Sequence, residues 1–142
     1  MFNVLILDDR EDYLRALRGA LRSDFEIVTA QTVPEAKELF DASVKVGLVD
    51  IRLAEDEPNN REGLDFLRWA KETRPAVPMV MMSAYRDFDA LAEALNWGAD
   101  YFLKKPIELR ELRALLRDFA EKGLQPEKTA ELRKHFPKEA PR

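Results

Sequence analysis

Three aspartates, a serine and a lysine stand where short apolar runs end. Asp8 and Asp9 close LILDD, Asp50 closes VGLVD, Ser83 closes VMMS, and Lys105 with Pro106 follows YFLK. Taken singly, each has a structural role: Asp9 and Ser83 can cap helices, Asp50 can sit in a turn, and Lys105 can be a solvated charge. Brought to one point they do more. Three carboxylates repel one another and raise at least one pKa unless a cation compensates. The chain has no cysteine, and its single histidine, His135, lies in the last eight residues, so the ligands at hand are all oxygen. Such a set suits a hard ion, Mg²⁺ above all. Ser83 adds a hydroxyl and Lys105 an ammonium. Cation, carboxylate, hydroxyl and ammonium around one point suit a phosphoryl group, because each neutralises or hydrogen-bonds a different oxygen. An aspartate can then act as nucleophile and hold the phosphate as an acyl phosphate, with Asp50 the best placed.

The elements that must position these groups follow from hydrophobic period. Runs rich in Val, Ile and Met at Asn3 to Asp8, Glu26 to Ala30, Val46 to Asp50, Pro78 to Ala84 and Asp100 to Lys105 read as five strands. Between them, apolar residues recur at three- and four-residue steps, each set one helical face. The sets are Leu14, Leu17, Leu21; Val33, Ala36, Leu39, Phe40; Leu64, Leu67, Ala70; Phe88, Leu91, Leu95; and Leu109, Leu112, Leu116, Phe119. Alternating strands and helices make right-handed crossovers, hence a five-stranded parallel sheet inside a three-layer α/β/α sandwich. In such sheets the binding crevice lies beyond the carboxyl ends of the strands. Glu11 and Asp12, just past the first pair of aspartates, read as first-turn residues favoured by the helix dipole.

Two stretches fall outside the repeat. Leu53 to Glu62, LAEDEPNNRE, reads as a polar loop. Beyond residue 120, Gly123 and Pro126 break the chain, a short helix is expected from Glu127 to Phe136, and four acids stand against six bases. Residues 1–120 are therefore expected to form one domain and 121–142 a linker or added helix.

The 142 residues allow one sizeable core. A content of 46% hydrophobic and 35% charged residues is that of a globular protein, and a net charge of −4 gives little pull toward nucleic acid. No apolar run approaches the roughly 18 residues of a membrane span, and no basic-then-apolar leader opens the chain. A cytoplasmic protein without direct nucleic-acid or membrane contact is expected.

With these motifs the sequence resembles the receiver domains of two-component response regulators, over residues 3 to about 120. The resemblance rests on LDD at 7–9, LVDIRL at 48–53, EGLDFL at 62–67, MMSA at 81–84 and GADYFLKKP at 98–106, in order and each where a strand end is expected. It implies a flavodoxin-like (βα)5 fold with strand order 2-1-3-4-5. It implies a regulatory domain rather than an enzyme acting on other substrates, with Asp50 accepting a phosphoryl group from a histidine kinase or histidine phosphotransfer protein. It further implies Mg²⁺ held by Asp8, Asp9, Asp50 and the backbone carbonyl of Arg52, Ser83 as the switch hydroxyl, Lys105 as the phosphate partner, a cis bond before Pro106, and Phe102 as the aromatic switch. The face built from the fourth helix, fifth strand and fifth helix would change shape on phosphorylation. Arg52 and Tyr85 would flank the path of attacking water.

The sequence departs from the family pattern after Asp50. No proline follows Leu53 directly, and Gly63 stands thirteen residues after Asp50, so a short stretch containing Glu55, Asp56 and Glu57 is inserted beside the site. Arg110, Arg113 and Arg117 on the last helix, against Asp87, Asp89, Glu93 and Asn96 on the fourth, would allow a two-fold dimer. Among rival readings, a haloacid-dehalogenase-like phosphatase would carry Asp-x-Asp where this chain has adjacent aspartates. A flavodoxin-like nucleotide binder needs a phosphate loop that DDRED would repel. A pseudo-receiver acting as a phosphorylation-independent interaction module would lack part of the chemical set.

Overall fold

The computed structural model describes residues 1–54, 57, 59–84 and 88–134, apart from the Phe88 side chain. His135, Tyr85, Asp87, Glu55 and Asp56 lie outside the described residues. The chain runs β1 (Phe2–Leu7), α1 (Glu11–Leu21), β2 (Phe25–Ala30), α2 (Val33–Leu39), β3 (Val44–Asp50), α3 (Glu62–Thr73), β4 (Met79–Ser83), α4 (Phe88–Asn96), β5 (Tyr101–Lys104), α5 (Leu109–Lys122) and α6 (Pro126–Arg133). All strand pairs are parallel and the order is β2-β1-β3-β4-β5. This is the expected doubly wound sheet. Among the described residues, no helix is long and apolar enough to cross a membrane.

The layers follow from the pleat. Successive side chains of β1 point to opposite faces. Val4 and Ile6 join a core with Leu14, Leu17 and Leu21 of α1 and Leu112, Leu116 and Phe119 of α5. Leu5 and Leu7 join the opposite core with Ala36, Leu64, Leu67, Ala90 and Leu95 from α2, α3 and α4. Both faces of the central strands are therefore apolar, which is why they read as continuous runs. Two details of the expected helix faces differ. Leu109 opens α5 at 42% exposed, and Phe66 is fully buried although it falls outside the expected stripe of α3. Phe66 packs edge-on against Phe40 and beside Trp69, which widens the apolar face of α3.

Register fixes the carboxyl edge of the sheet. Leu7 pairs with Val49, Asp50 with Met82 and Ser83 with Lys104, so Asp8, Asp50, Ser83 and Lys105 emerge at neighbouring levels. β1 ends at Leu7, one residue short of expectation. The Asp8 amide still donates to Ala30 O at 3.1 Å, but the Asp8 carboxylate accepts from the Arg10 amide at 2.9 Å and turns the chain into α1. Arg10, rather than Asp9, occupies the N-cap position.

The stretch after β3 is pinned at its base. Gly63 N donates to Ile51 O at 3.0 Å, and Asn60 Oδ1 accepts from the amides of Leu53 and Glu62 at 3.0 and 3.1 Å. The inserted residues thus leave and return at one neck, and α3 begins directly against the end of β3.

Candidate functional site

Asp8 sits at the end of β1 with no exposed surface, and Asp50 closes β3 at 3% exposed. Asp9 is half-buried beside them. One ligand oxygen from each of the three lies within 4.8 Å of the others, and among the described residues this is the group that gathers three such ligands. Ser83 ends β4, buried. The Lys105 amide donates to Ser83 O at 2.8 Å, extending the β4–β5 ladder by one rung and aiming the lysine inward. Its ammonium lies 2.7 Å from Asp8 Oδ2 and 3.4 Å from Asp50 Oδ2. The Lys105–Pro106 bond is cis. Arg52, two residues past Asp50, is largely buried. Phe102 is partly buried on the sheet face that carries α4, while Tyr101 packs on the α5 side.

Two neighbours had no signal in the sequence reading. Tyr13, in the first turn of α1, places its ring centroid 4.4 Å from Lys105 Nζ, within cation–π reach of the ammonium. Burial pushes the Tyr13 phenol up; Lys105 opposes this, while Asp8 and Asp50 add to it. Gln31, just past β2, donates from Nε2 to Asp9 O at 3.1 Å and steadies the second aspartate's backbone. The end of β2 therefore also contributes to the site. A polar residue in a loop carries no pattern that singles it out.

Electrostatics follow from the geometry. Burial is the largest influence on Asp50 and pushes its carboxyl up to about 7; Lys105 pulls it down, and Asp8 and Asp9 push it up. Burial would lower Lys105, but Asp50 and Asp8 outweigh it and hold the ammonium protonated. Three acids thus face one offsetting cation within the cluster. The all-oxygen donor set and its residual negative charge fit a divalent hard cation such as Mg²⁺.

The buried carboxyl has a consequence for stability. Asp50 ionises near 3.8 when unfolded and near 7 when folded, so the folded chain holds a proton that the unfolded chain releases. Stability from this group is present below pH 4 and is lost as pH rises toward 7. Denaturation in EDTA should show the wild type losing about 2 kcal/mol more than Asp50→Asn between pH 5 and 8, with the variant more stable at pH 8. Saturating Mg²⁺ should remove that difference. Parallel pH profiles would contradict the burial of an ionisable carboxylate here.

Comparison with known proteins identifies the family and the fold. Residues 4–117 match the family described as response regulator receiver domain. The chain is 34% identical over 114 residues to the response regulator protein PilR of Pseudomonas aeruginosa, covering 79% of this chain and 24% of PilR. It is 32% identical over 112 residues to the photosynthetic apparatus regulatory protein RegA of Cereibacter sphaeroides, covering 78% of this chain and 58% of RegA. The chain thus spans about a quarter of PilR and just over half of RegA. Among solved structures, a CheY-like receiver domain protein from Methanospirillum hungatei superposes with a TM-score of 0.76 at 26% identity, over 92% of this chain and 98% of that one. The receiver domain of NtrX from Brucella abortus gives 0.73 at 26% identity, over 84% and 98%. By sequence, by topology and by the residues at its strand ends, the chain belongs to the response regulator receiver domain family.

Proposed function

We propose that residues 1–120 form a phosphorylation-dependent signalling switch that takes a phosphoryl group on Asp50 from a phosphohistidine of a histidine kinase or phosphotransfer protein. The supporting observation is the gathering of Asp8, Asp9 and Asp50 within 4.8 Å, with the Lys105 ammonium 2.7 and 3.4 Å from two of them. An Asp50 oxygen attacks phosphorus, the P–N bond of the donor breaks, and the imidazole leaves with its electron pair and takes up a proton. The product is an aspartyl phosphate.

Attack requires the carboxylate form of Asp50, and a group near 7 is about half ionised at neutral pH. Asp8, Asp9, Asp50 and the Arg52 carbonyl would hold Mg²⁺, which when bound neutralises carboxylate and phosphoryl oxygens together. Lys105, within cation–π reach of Tyr13, presents a fixed positive charge to the incoming anion. The domain performs this chemistry on itself and is regulatory in role.

The readout in this proposal runs through Ser83 and Phe102. Phosphate on Asp50 offers the Ser83 hydroxyl a strong acceptor, and its movement opens space for Phe102 beside α4. The reading is of a cytoplasmic protein. A two-fold dimer through α4–β5–α5 has less charge to draw on than the sequence suggested. Arg113 and Arg117 are engaged by Asp24 at 2.8 and 2.9 Å, and Glu93 pairs with Arg61.

Incubation with acetyl phosphate tests the reading. One phosphoryl group per chain should appear by intact mass in Mg²⁺ and be absent in EDTA. No uptake in Mg²⁺, or equal uptake in both, would overturn it.

A further inference from the structure

The last described helix lies on the face that the switch would reshape. Gly123, at φ 74°, ends α5, and Leu124 and Gln125 lead the chain back as α6. α6 then meets three elements. Thr129 Oγ1 donates to Asp100 O at 2.7 Å, at the residue before β5. Arg133 donates to Leu95 O at 2.6 Å and to Asn96 Oδ1 at 3.1 Å, satisfying the carboxyl end of α4. Lys128 pairs with Asp118 of α5 at 2.9 Å. Leu132 adds an apolar contact to the core on the α4 side.

The hold is specific and weak. Eight residues are too few for a stable helix in water. α6 has no side-chain N-cap and no buried residue. An open groove of about 400 Å³ runs along α6, lined by Tyr101, Glu127, Lys128, Glu131 and Leu132. Few apolar contacts, with anchors only partly buried, are the marks of a segment that opens locally without global unfolding.

We propose that the β5 edge, with the carboxyl end of α4 and the flank of α5, is a helix-docking surface whose occupant is the chain's own α6, and that this docking favours the unphosphorylated arrangement. It rests on the reading of Asp50 as phosphoacceptor. The anchors sit on α4, β5 and α5 separately, so a relative shift of these elements cannot keep all of them. Coupling of this kind is reciprocal: whatever activation does to α6 docking, loss of docking does to activation by the same factor. The partners of Arg133, Thr129 and Lys128 are Leu95, Asn96, Asp100 and Asp118, none of them a carboxylate that would bind metal.

Beryllofluoride with Mg²⁺, a phosphoryl mimic, reads the coupling in the full chain. Calorimetric titration should show Thr129→Val/Arg133→Ala binding the mimic about 5-fold more tightly than wild type, or better, with Lys128→Ala shifted in the same direction. Amide exchange over residues 126–133 of the wild type should speed up when the mimic is bound. Equal affinities with unchanged exchange, in a wild type that binds the mimic, would overturn the docking coupling alone. A wild type that binds no mimic would overturn the phosphoacceptor reading and the coupling with it.

Discussion

Asp50→Ala should take up no phosphoryl group from acetyl phosphate under conditions that phosphorylate the wild type fully. The loss is expected to be complete because no other carboxylate in the cluster can substitute. Asp8 has no exposed surface, and its oxygens are engaged by the Arg10 amide at 2.9 Å and the Lys105 ammonium at 2.7 Å. Asp9 lies on the turn into α1 rather than on a strand. Asp50 closes the central strand, its rim shared with β1 on one side and β4 on the other. Lys105→Ala and Asp9→Ala should behave differently from Asp50→Ala. Each keeps the nucleophile and removes one part of the charge balance, so uptake should persist at a rate lower by about 10²-fold, the usual cost of deleting one preorganised electrostatic partner. Intact mass against time separates the two classes. Full-rate uptake by Asp50→Ala would end the assignment.

Gly63→Ala should damage both stability and phosphorylation, although Gly63 carries no chemistry. A Cβ built at this position would lie 1.9 Å from the Asp50 carbonyl oxygen, 2.6 Å from that of Ile51 and 2.7 Å from the Ile51 Cα. All three are backbone atoms, so no rotamer change relieves the clash. Either α3 lifts from the sheet, losing contact from Leu64 and Leu67, or the backbone carrying Asp50 shifts. Overpacking of this kind costs about 1–3 kcal/mol and often more when backbone must move. The melting temperature should fall by about 10 °C, at about 3–5 °C per kcal/mol for a domain of this size. Phosphoryl uptake should slow as well, since the atoms displaced belong to the phosphoacceptor and to the loop bearing Arg52. A variant matching wild type in both measurements would show that α3 does not start against β3.

This contact also explains why the stretch after Asp50 is tolerated. In the sequence, thirteen residues separating Asp50 from Gly63 read as a departure from the family pattern. In the fold, Gly63 still lands on the end of β3, and Asn60 closes the neck by accepting two amides. A loop anchored this way can lengthen at small entropic cost.

The strand-end constellation was legible because a parallel sheet leaves little freedom. Once five apolar runs alternate with helices, their carboxyl ends must meet at one edge, and the residue types there then speak for themselves. What stayed hidden depends on which way helices turn and on contacts between residues remote in sequence. Tyr13 lies four residues past Asp9, and nothing in its spacing says that it will stack on Lys105. Arg113 and Arg117 looked available for a partner; they face Asp24 because α5 packs beside α1 and the turn into β2. The tail was readable as a short helix: α6 begins at Pro126, one residue before the expected Glu127, while the expected end at Phe136 lies outside the described residues. Its docking was not readable, because threonine and arginine bonding to backbone carbonyls leave no hydrophobic period.

The central claim is that phosphate resides on Asp50. Wild-type protein phosphorylated in Mg²⁺ and then treated with borohydride should have its aspartyl phosphate reduced to homoserine, which peptide mass spectrometry can place. The account predicts homoserine at residue 50, with Asp8 and Asp9 left unreduced. Homoserine at residue 8 or 9, or a phosphorylated chain with no reduced aspartate, would contradict it.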